Sequence, residues 1–125
     1  EQEGEEEEDY ALADRAVEAL HREMPEVGGA MIQCGLSARA LVLSWYQHSF
    51  WGVLSVTELA INETLRFLYG PKGQVALALA LFRHVREELL RAAARQDDVL
   101  RLFHLFSHGV RRFEFTPEVV EEMGL

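Results

Sequence analysis

Cysteine and proline are scarce in this chain of 125 residues, which has one Cys and three Pro. Because a single cysteine cannot form an intramolecular disulfide, a disulfide-stapled fold is excluded and a reducing compartment is expected. Cys34 itself is expected to be a small buried apolar residue and not a reactive thiol. The acidic N-terminal stretch also lacks the charged-then-apolar pattern of a secretory signal, so a cytoplasmic location is expected.

Long apolar runs are missing as well. The longest one covers the eight residues 75–82, whereas a membrane-spanning helix needs about 20. The sequence therefore predicts a soluble protein without a membrane span.

Basic residues are outnumbered by acidic ones, 12 to 21, which gives a net charge of −9. Residues 1–9 hold six Glu and one Asp and carry most of that charge. Nucleic acid is not expected as a partner, because its binding requires Lys and Arg that neutralise phosphates. A like-charge run without apolar residues cannot offset its ordering entropy. Residues 1–9 are therefore expected to form an acidic disordered tail or linker end, and residues 10–125 the folded part.

Helical periodicity and capping signals in the folded part predict an all-α fold of about six to seven helices. The first helix is predicted over about 9–23, and the second between Pro25 and Gly35. A third helix is predicted from a Ser37 cap to about Phe50.

The middle of the chain carries clear helix signals. Ser55 and Glu58 have the spacing of a capping box, in which each side chain bonds a free backbone N–H of the first turn. This fourth helix is predicted to end at Gly70. A long fifth helix is predicted from Gly73 to about Ala94. It is apolar all round at its start and amphipathic afterwards, which indicates a central buried helix.

Two shorter helices are predicted to close the chain. Acidic residues at 97–98 favour the start of a sixth helix, whose apolar stripe is predicted to end at Val110. Thr116 predicts the cap of a last helix that ends near Met123. Only residues 112–115 alternate weakly, as a strand would.

The order of three apolar segments carries most of the information about function. The segments are Trp45 to Phe50, Leu54 to Gly70, which includes residues 59–63, and Val75 to Leu90. Their order and spacing resemble the C-terminal half of the TBC domain, the helical domain of Rab GTPase-activating proteins. The resemblance covers about residues 10–120 and implies that residues 10–125 are a TBC-like C-terminal helical subdomain. The motif residues expected to form its structural core are Trp45, Phe50, Leu59, Ile61, Leu77, Leu81 and Leu89.

The sequence departs from the TBC pattern at two places. Asn62-Glu63 stands where the family has a Trp-Asp pair. TBC domains also use an arginine from an Ile-x-x-Asp-x-x-Arg motif and a glutamine from a Tyr-x-Gln motif, both in the N-terminal half, and neither motif occurs in this sequence. Such an arginine accelerates GTP hydrolysis about 10³- to 10⁵-fold. We therefore expect no catalytic residue here and no catalysis by the chain alone, which leaves the activity of a longer parent protein open.

The resemblance implies a part of a Rab GTPase-activating domain that supports the catalytic half and contacts a Rab-type small GTPase in membrane-traffic regulation. The expected partners are that GTPase and the upstream half of the same domain or partner subunits. The alternative is a catalytically silent TBC-like scaffold or protein-interaction module in a larger assembly.

Two histidines form the best candidate for a metal site. His104 and His108 have the i, i+4 spacing that presents two imidazoles on one helix face. No third ligand has a matching spacing, so neither a metal nor another cofactor is expected. Both side chains are expected to face solvent.

An arginine-rich stretch has two interpretations. Arg83, Arg86, Arg91 and Arg95 lie on or just after the fifth helix. They either compensate the helix dipole and solvate the helix, or form an attachment surface for an acidic membrane, in peripheral contact, or for an acidic partner. The first interpretation is favoured because the basic residues of this region are spread over two helices and a loop.

Overall fold

Seven helices and no strand form the part of the chain that the computed structural model describes, residues 2–108 and 112–125. The all-α prediction is therefore confirmed, and residues 112–115 are not a strand. The helices are α1 (Gln2–Glu23), α2 (Pro25–Cys34), α3 (Ala38–Gln47), α4 (Val56–Tyr69), α5 (Pro71–Ala94), α6 (Val99–His108) and α7 (Pro117–Met123).

Several helix ends follow the local signals in the sequence. Ser37 Oγ accepts a hydrogen bond from the Ala40 N–H at 3.1 Å at the start of α3. Thr116 Oγ1 accepts one from the Val119 N–H at 3.2 Å at the start of α7. Gly35, with a φ of 81°, ends α2 in the left-handed conformation that glycine adopts without strain.

The N-terminal boundary differs from the prediction. Helix α1 begins at Gln2 and not near residue 9, so the acidic run is helical where a disordered tail was expected. The physical reason is that Glu propagates a helix well and that acidic side chains are stabilised near the positive N-terminal end of the helix dipole. Whether residues 1–9 are a unit separate from the domain stays a prediction. Val110, predicted on α6, lies outside the described residues.

Helix α5 lies at the centre of the fold. It packs against α1, α2, α4 and α7, while α1 also packs against α2 and α3, and α3 contacts α6. Residues 76–82 of α5 are all buried, as expected for a segment that is apolar all round. Cys34 is half-buried at the edge of this core. Among the described residues, no single helix has the length and apolar composition of a membrane span, and α2 and α3 meet those criteria only as a pair bent by 101°.

Most of the expected core positions are interior. Trp45, Phe50, Leu77, Leu81 and Leu89 are buried. Two further motif residues are less enclosed, because Leu59 is half-buried against the core and Ile61 is exposed. The assignment of Ile61 to the core is therefore wrong, because α4 turns a different face towards α5.

Candidate functional site

The inward face of α4 contains polar residues. Glu58 and Asn62 are buried, although both are of types that usually lie at the surface. Asn62 Oδ1 accepts a hydrogen bond from Gln74 Nε2 at 3.0 Å. Glu58 Oε2 accepts one from the Phe115 N–H at 2.9 Å. These bonds offset the loss of water that burial imposes on the polar groups.

The bond to Phe115 replaces the expected capping box. Ser55 is the N-cap residue of α4, but its side chain makes no capping hydrogen bond. The Glu58 carboxylate points to the segment between α6 and α7, where the Phe115 N–H lies outside any helix. Glu58 therefore makes a long-range hydrogen bond to Phe115 in place of the local bond that its spacing from Ser55 predicts.

The outward face of α4 is apolar. Phe67 is 88% exposed, Val56 78%, Leu68 62% and Ile61 36%. At about 100° per residue, these side chains fall within an arc of about 140° that faces away from Glu58 and Asn62. No charged residue lies within the arc. We call this surface the α4 outer face, and it consists of Val56, Thr57, Ala60, Ile61, Thr64, Phe67 and Leu68.

Such a surface is suited to protein binding. A contiguous exposed apolar patch marks an interaction site more often than isolated apolar residues do. Burying one side chain of this size contributes roughly 1.5–3 kcal/mol. The α4 outer face can therefore bind an apolar surface of another protein segment without leaving a charge unpaired.

Sequence reasoning did not identify this surface. Apolar residues occupy a large share of α4, so the pattern does not say which face is inward, and Ile61 was placed in the core. The signal that could have identified it is the run Phe67-Leu68-Tyr69 directly before Gly70, because three large apolar residues in succession cannot all face one neighbour.

The histidines do not form a metal site. The His104 and His108 rings stack with centroids 5.4 Å apart, and the His48 ring lies 6.2 Å from that of His108. All three are exposed. Within residues 2–108 and 112–125, no group of three side chains is arranged to hold a metal ion.

The arginines expected as a basic surface have acidic neighbours. Arg86 Nη2 lies 2.7 Å from Glu26 Oε1, and Arg95 Nη2 lies 3.2 Å from Asp97 Oδ2. Arg83 lies 3.9 Å from carboxylate oxygens of two glutamates, Glu23 and Glu122. Three of the four arginines are thus locally neutralised, which favours a solvated helix surface over a membrane contact.

Comparisons with known proteins identify the family. Residues 9–123 match the family model described as the Broad-minded protein Rab TBC domain. The chain is 27% identical over 92 residues to Protein broad-minded of Mus musculus, and 27% identical over 89 residues to that of Danio rerio. These alignments cover 74% and 70% of this chain but 7% of each relative. No solved structure matches the chain.

The family match agrees with the motif order in the sequence. The resemblance of Trp45 to Phe50, residues 59–63 and Val75 to Leu90 to TBC segments is confirmed at the level of the family. The relatives are named for the same protein in two vertebrates. The chain belongs to the family of the Rab TBC domain of broad-minded protein.

Proposed function

We propose that this chain is the C-terminal helical part of a TBC-type domain and the platform on which the rest of that domain packs. The α4 outer face carries the proposal, because it is a broad uncharged apolar surface on a helix whose inward face is already used. The chain spans about 7% of the length of its curated relatives, so these have much further polypeptide with which such a surface can pack.

Under this proposal, the chain contributes to GTP hydrolysis by holding the catalytic half of the domain in position. In TBC domains the catalytic arginine and glutamine lie in the N-terminal half, and neither motif occurs in this sequence. Contacts that orient a partner without stabilising the transition state do not accelerate the chemical step. The proposed function is to hold the catalytic half in place and to contact a Rab-type small GTPase during membrane-traffic regulation in the cytoplasm.

A catalytically silent TBC-like interaction module is the second candidate. Asn62 favours it, because it stands where the family has a large aromatic residue. Its side chain is bonded to Gln74 inside the fold. A family member that has lost one motif residue could keep the fold and lose the activity. The α4 outer face would then bind a partner subunit.

Docking through the α4 outer face is testable with two matched substitutions. Leu68→Asp places a charge at the proposed contact, and Leu100→Asp places one at a residue of α6 that is 78% exposed. Each variant is co-expressed with the segment encoded upstream of residue 1, and recovery of the complex is measured by affinity capture. We expect Leu68→Asp to reduce recovery at least tenfold and Leu100→Asp to leave it unchanged. Equal recovery of both variants would contradict the proposal.

A further inference from the structure

The side chains of the α4 outer face are arranged by size. Ala60 and Thr64 are small, exposed and about one turn apart, and they lie within about 20° of the direction opposite to the buried Asn62. Four larger exposed apolar side chains lie around them: Val56, Ile61, Phe67 and Leu68. The centre of the face is therefore a shallow depression with a floor of two small residues, which we call the α4 depression.

The middle of the α4 outer face offers no free hydrogen-bonding group. Between the first and last turns of a helix, the backbone N–H and C=O groups are bonded to one another. The Thr64 hydroxyl is also used, because its Oγ1 donates to the Ala60 backbone oxygen at 3.4 Å. A segment that covers the α4 depression therefore finds apolar contacts there and no hydrogen-bond partner.

This property selects the kind of segment that can bind. An extended segment laid across the α4 depression would bury backbone N–H and C=O groups without partners, which is unfavourable. An α-helix bonds its own backbone groups internally, so it can cover the same surface with side chains alone. Its contacting side must also be uncharged, because no charged residue of α4 lies within the arc of the outer face to pair with it.

The pattern of side-chain size fits the packing of two helices. When helices pack, a side chain of one can insert into a hole between four residues of the other. The distance between the helix axes depends on the size of the side chains at the contact. Ala60 and Thr64 leave room for an inserted side chain, whereas a large residue at either position would fill that space.

We propose that the α4 depression receives a large apolar side chain of an amphipathic α-helix that packs along α4. The inference rests on the proposed platform role and specifies the partner of the α4 outer face. The helix belongs to the rest of the TBC-type domain and presents apolar residues three and four positions apart. The curated relatives contain far more polypeptide than the 7% that aligns with this chain, which can supply such a helix.

Filling the depression tests the proposal. Ala60→Leu keeps an apolar surface and a good helix former but occupies the space that the partner side chain needs. When it is co-expressed with the segment encoded upstream of residue 1, we expect recovery of the complex by affinity capture to fall at least fivefold. Ala60→Ser keeps a small side chain whose hydroxyl can bond back to the helix, so recovery should stay within twofold of the wild type.

The matched control is Ala11→Leu, which makes the same change at an exposed alanine of α1 and should leave recovery unchanged. Thermal unfolding of each isolated variant verifies that it folds like the wild type. An equal loss of recovery in Ala11→Leu and Ala60→Leu would refute the site.

Comparison with Leu68→Asp separates this inference from the platform role. Loss of the complex in both Leu68→Asp and Ala60→Leu would support the inserted side chain. Loss in Leu68→Asp with full recovery of Ala60→Leu would leave the platform role standing and overturn the inference. Full recovery of both variants would contradict the platform role and the inference together.

Cross-linking identifies the secondary structure of the partner segment. Ala60→Cys is combined with single cysteines placed one at a time along the upstream segment, after every native cysteine, including Cys34, is replaced by serine. Mild oxidation then joins thiols that lie close together. We expect cross-links to recur at intervals of three and four residues, as on one face of a helix. Recurrence at every second residue would indicate a strand and overturn the proposal, as would the absence of any cross-link.

Discussion

Trp45 joins α3 to two helices that come later in the sequence, α5 and α6. Its indole Nε1–H donates to the Phe106 backbone oxygen at 3.1 Å, and its ring lies 5.1 Å from that of Phe82. Phe106 is in the last turn of α6, where backbone carbonyls lack a partner within the helix. The indole therefore satisfies a free carbonyl of α6 while its ring packs on α5, and both roles are structural.

Replacing Trp45 should destabilise the fold strongly. Trp45→Ala is expected to lower the free energy of unfolding by about 3–5 kcal/mol, as for other large-to-small changes in a core. Trp51→Ala is the matched control, because Trp51 is exposed, and it should change stability by no more than about 0.5 kcal/mol. Urea denaturation measures both, and a Trp45→Ala variant as stable as the wild type would contradict the structural role.

Glu58 contacts the segment between α6 and α7 through its hydrogen bond to the Phe115 N–H. Glu58→Ala would leave the Phe115 N–H without its acceptor, at a cost of about 1–3 kcal/mol. We expect faster hydrogen exchange at the Phe115 amide than in the wild type. Glu58→Gln keeps an acceptor oxygen and should exchange more slowly than Glu58→Ala. Equal exchange rates in the alanine variant and the wild type would show that the bond does not hold this segment.

At the scale of one element, α4 shows what the sequence specifies and what it does not. Its start after Ser55 and its end before Gly70 lie where the sequence predicts them, but the Ser55 side chain does not make the predicted capping hydrogen bond. Its orientation depends on Gln74 and Phe115, which give the buried polar residues their partners. Local periodicity contains no information about such partners, so the inward face and the position of Ile61 were not predictable.

The two faces of α4 should respond differently to substitution in the isolated chain. Phe67→Glu replaces an exposed side chain with a charged one. Because few contacts within the chain are lost, we expect the unfolding free energy to change by no more than about 0.5 kcal/mol. Leu81→Ala in the buried part of α5 is the reference, with an expected loss of about 2–5 kcal/mol. Thermal and urea denaturation would measure both. A large loss in Phe67→Glu would mean that the α4 outer face is used within the chain itself.

At the scale of the molecule, the order of the helices was predictable and the places where they meet were not. Periodicity and capping residues define seven segments, and the motif order of Trp45, residues 59–63 and Val75 to Leu90 identifies the family. A cavity of about 410 Å³ beside Gln74 combines residues of α1, α3, α4 and α5, which no local pattern brings together. Glu8 lines it as part of α1 because that helix begins at Gln2, before its predicted start near residue 9.

The proposed positioning role predicts how the chain affects GTP hydrolysis by a Rab, both alone and together with the catalytic half. Residues 1–125 alone should not raise the GTP hydrolysis rate of a Rab, since the sequence has neither TBC catalytic motif. A single-turnover assay over a Rab panel would measure this, with and without the segment encoded upstream. Stimulation only with that segment would support the platform role, and Leu68→Asp should then abolish it. No stimulation of GTP hydrolysis in either measurement would favour the catalytically silent scaffold. Stimulation of about 10³-fold by the chain alone would require a catalytic arginine within it and would refute both proposals.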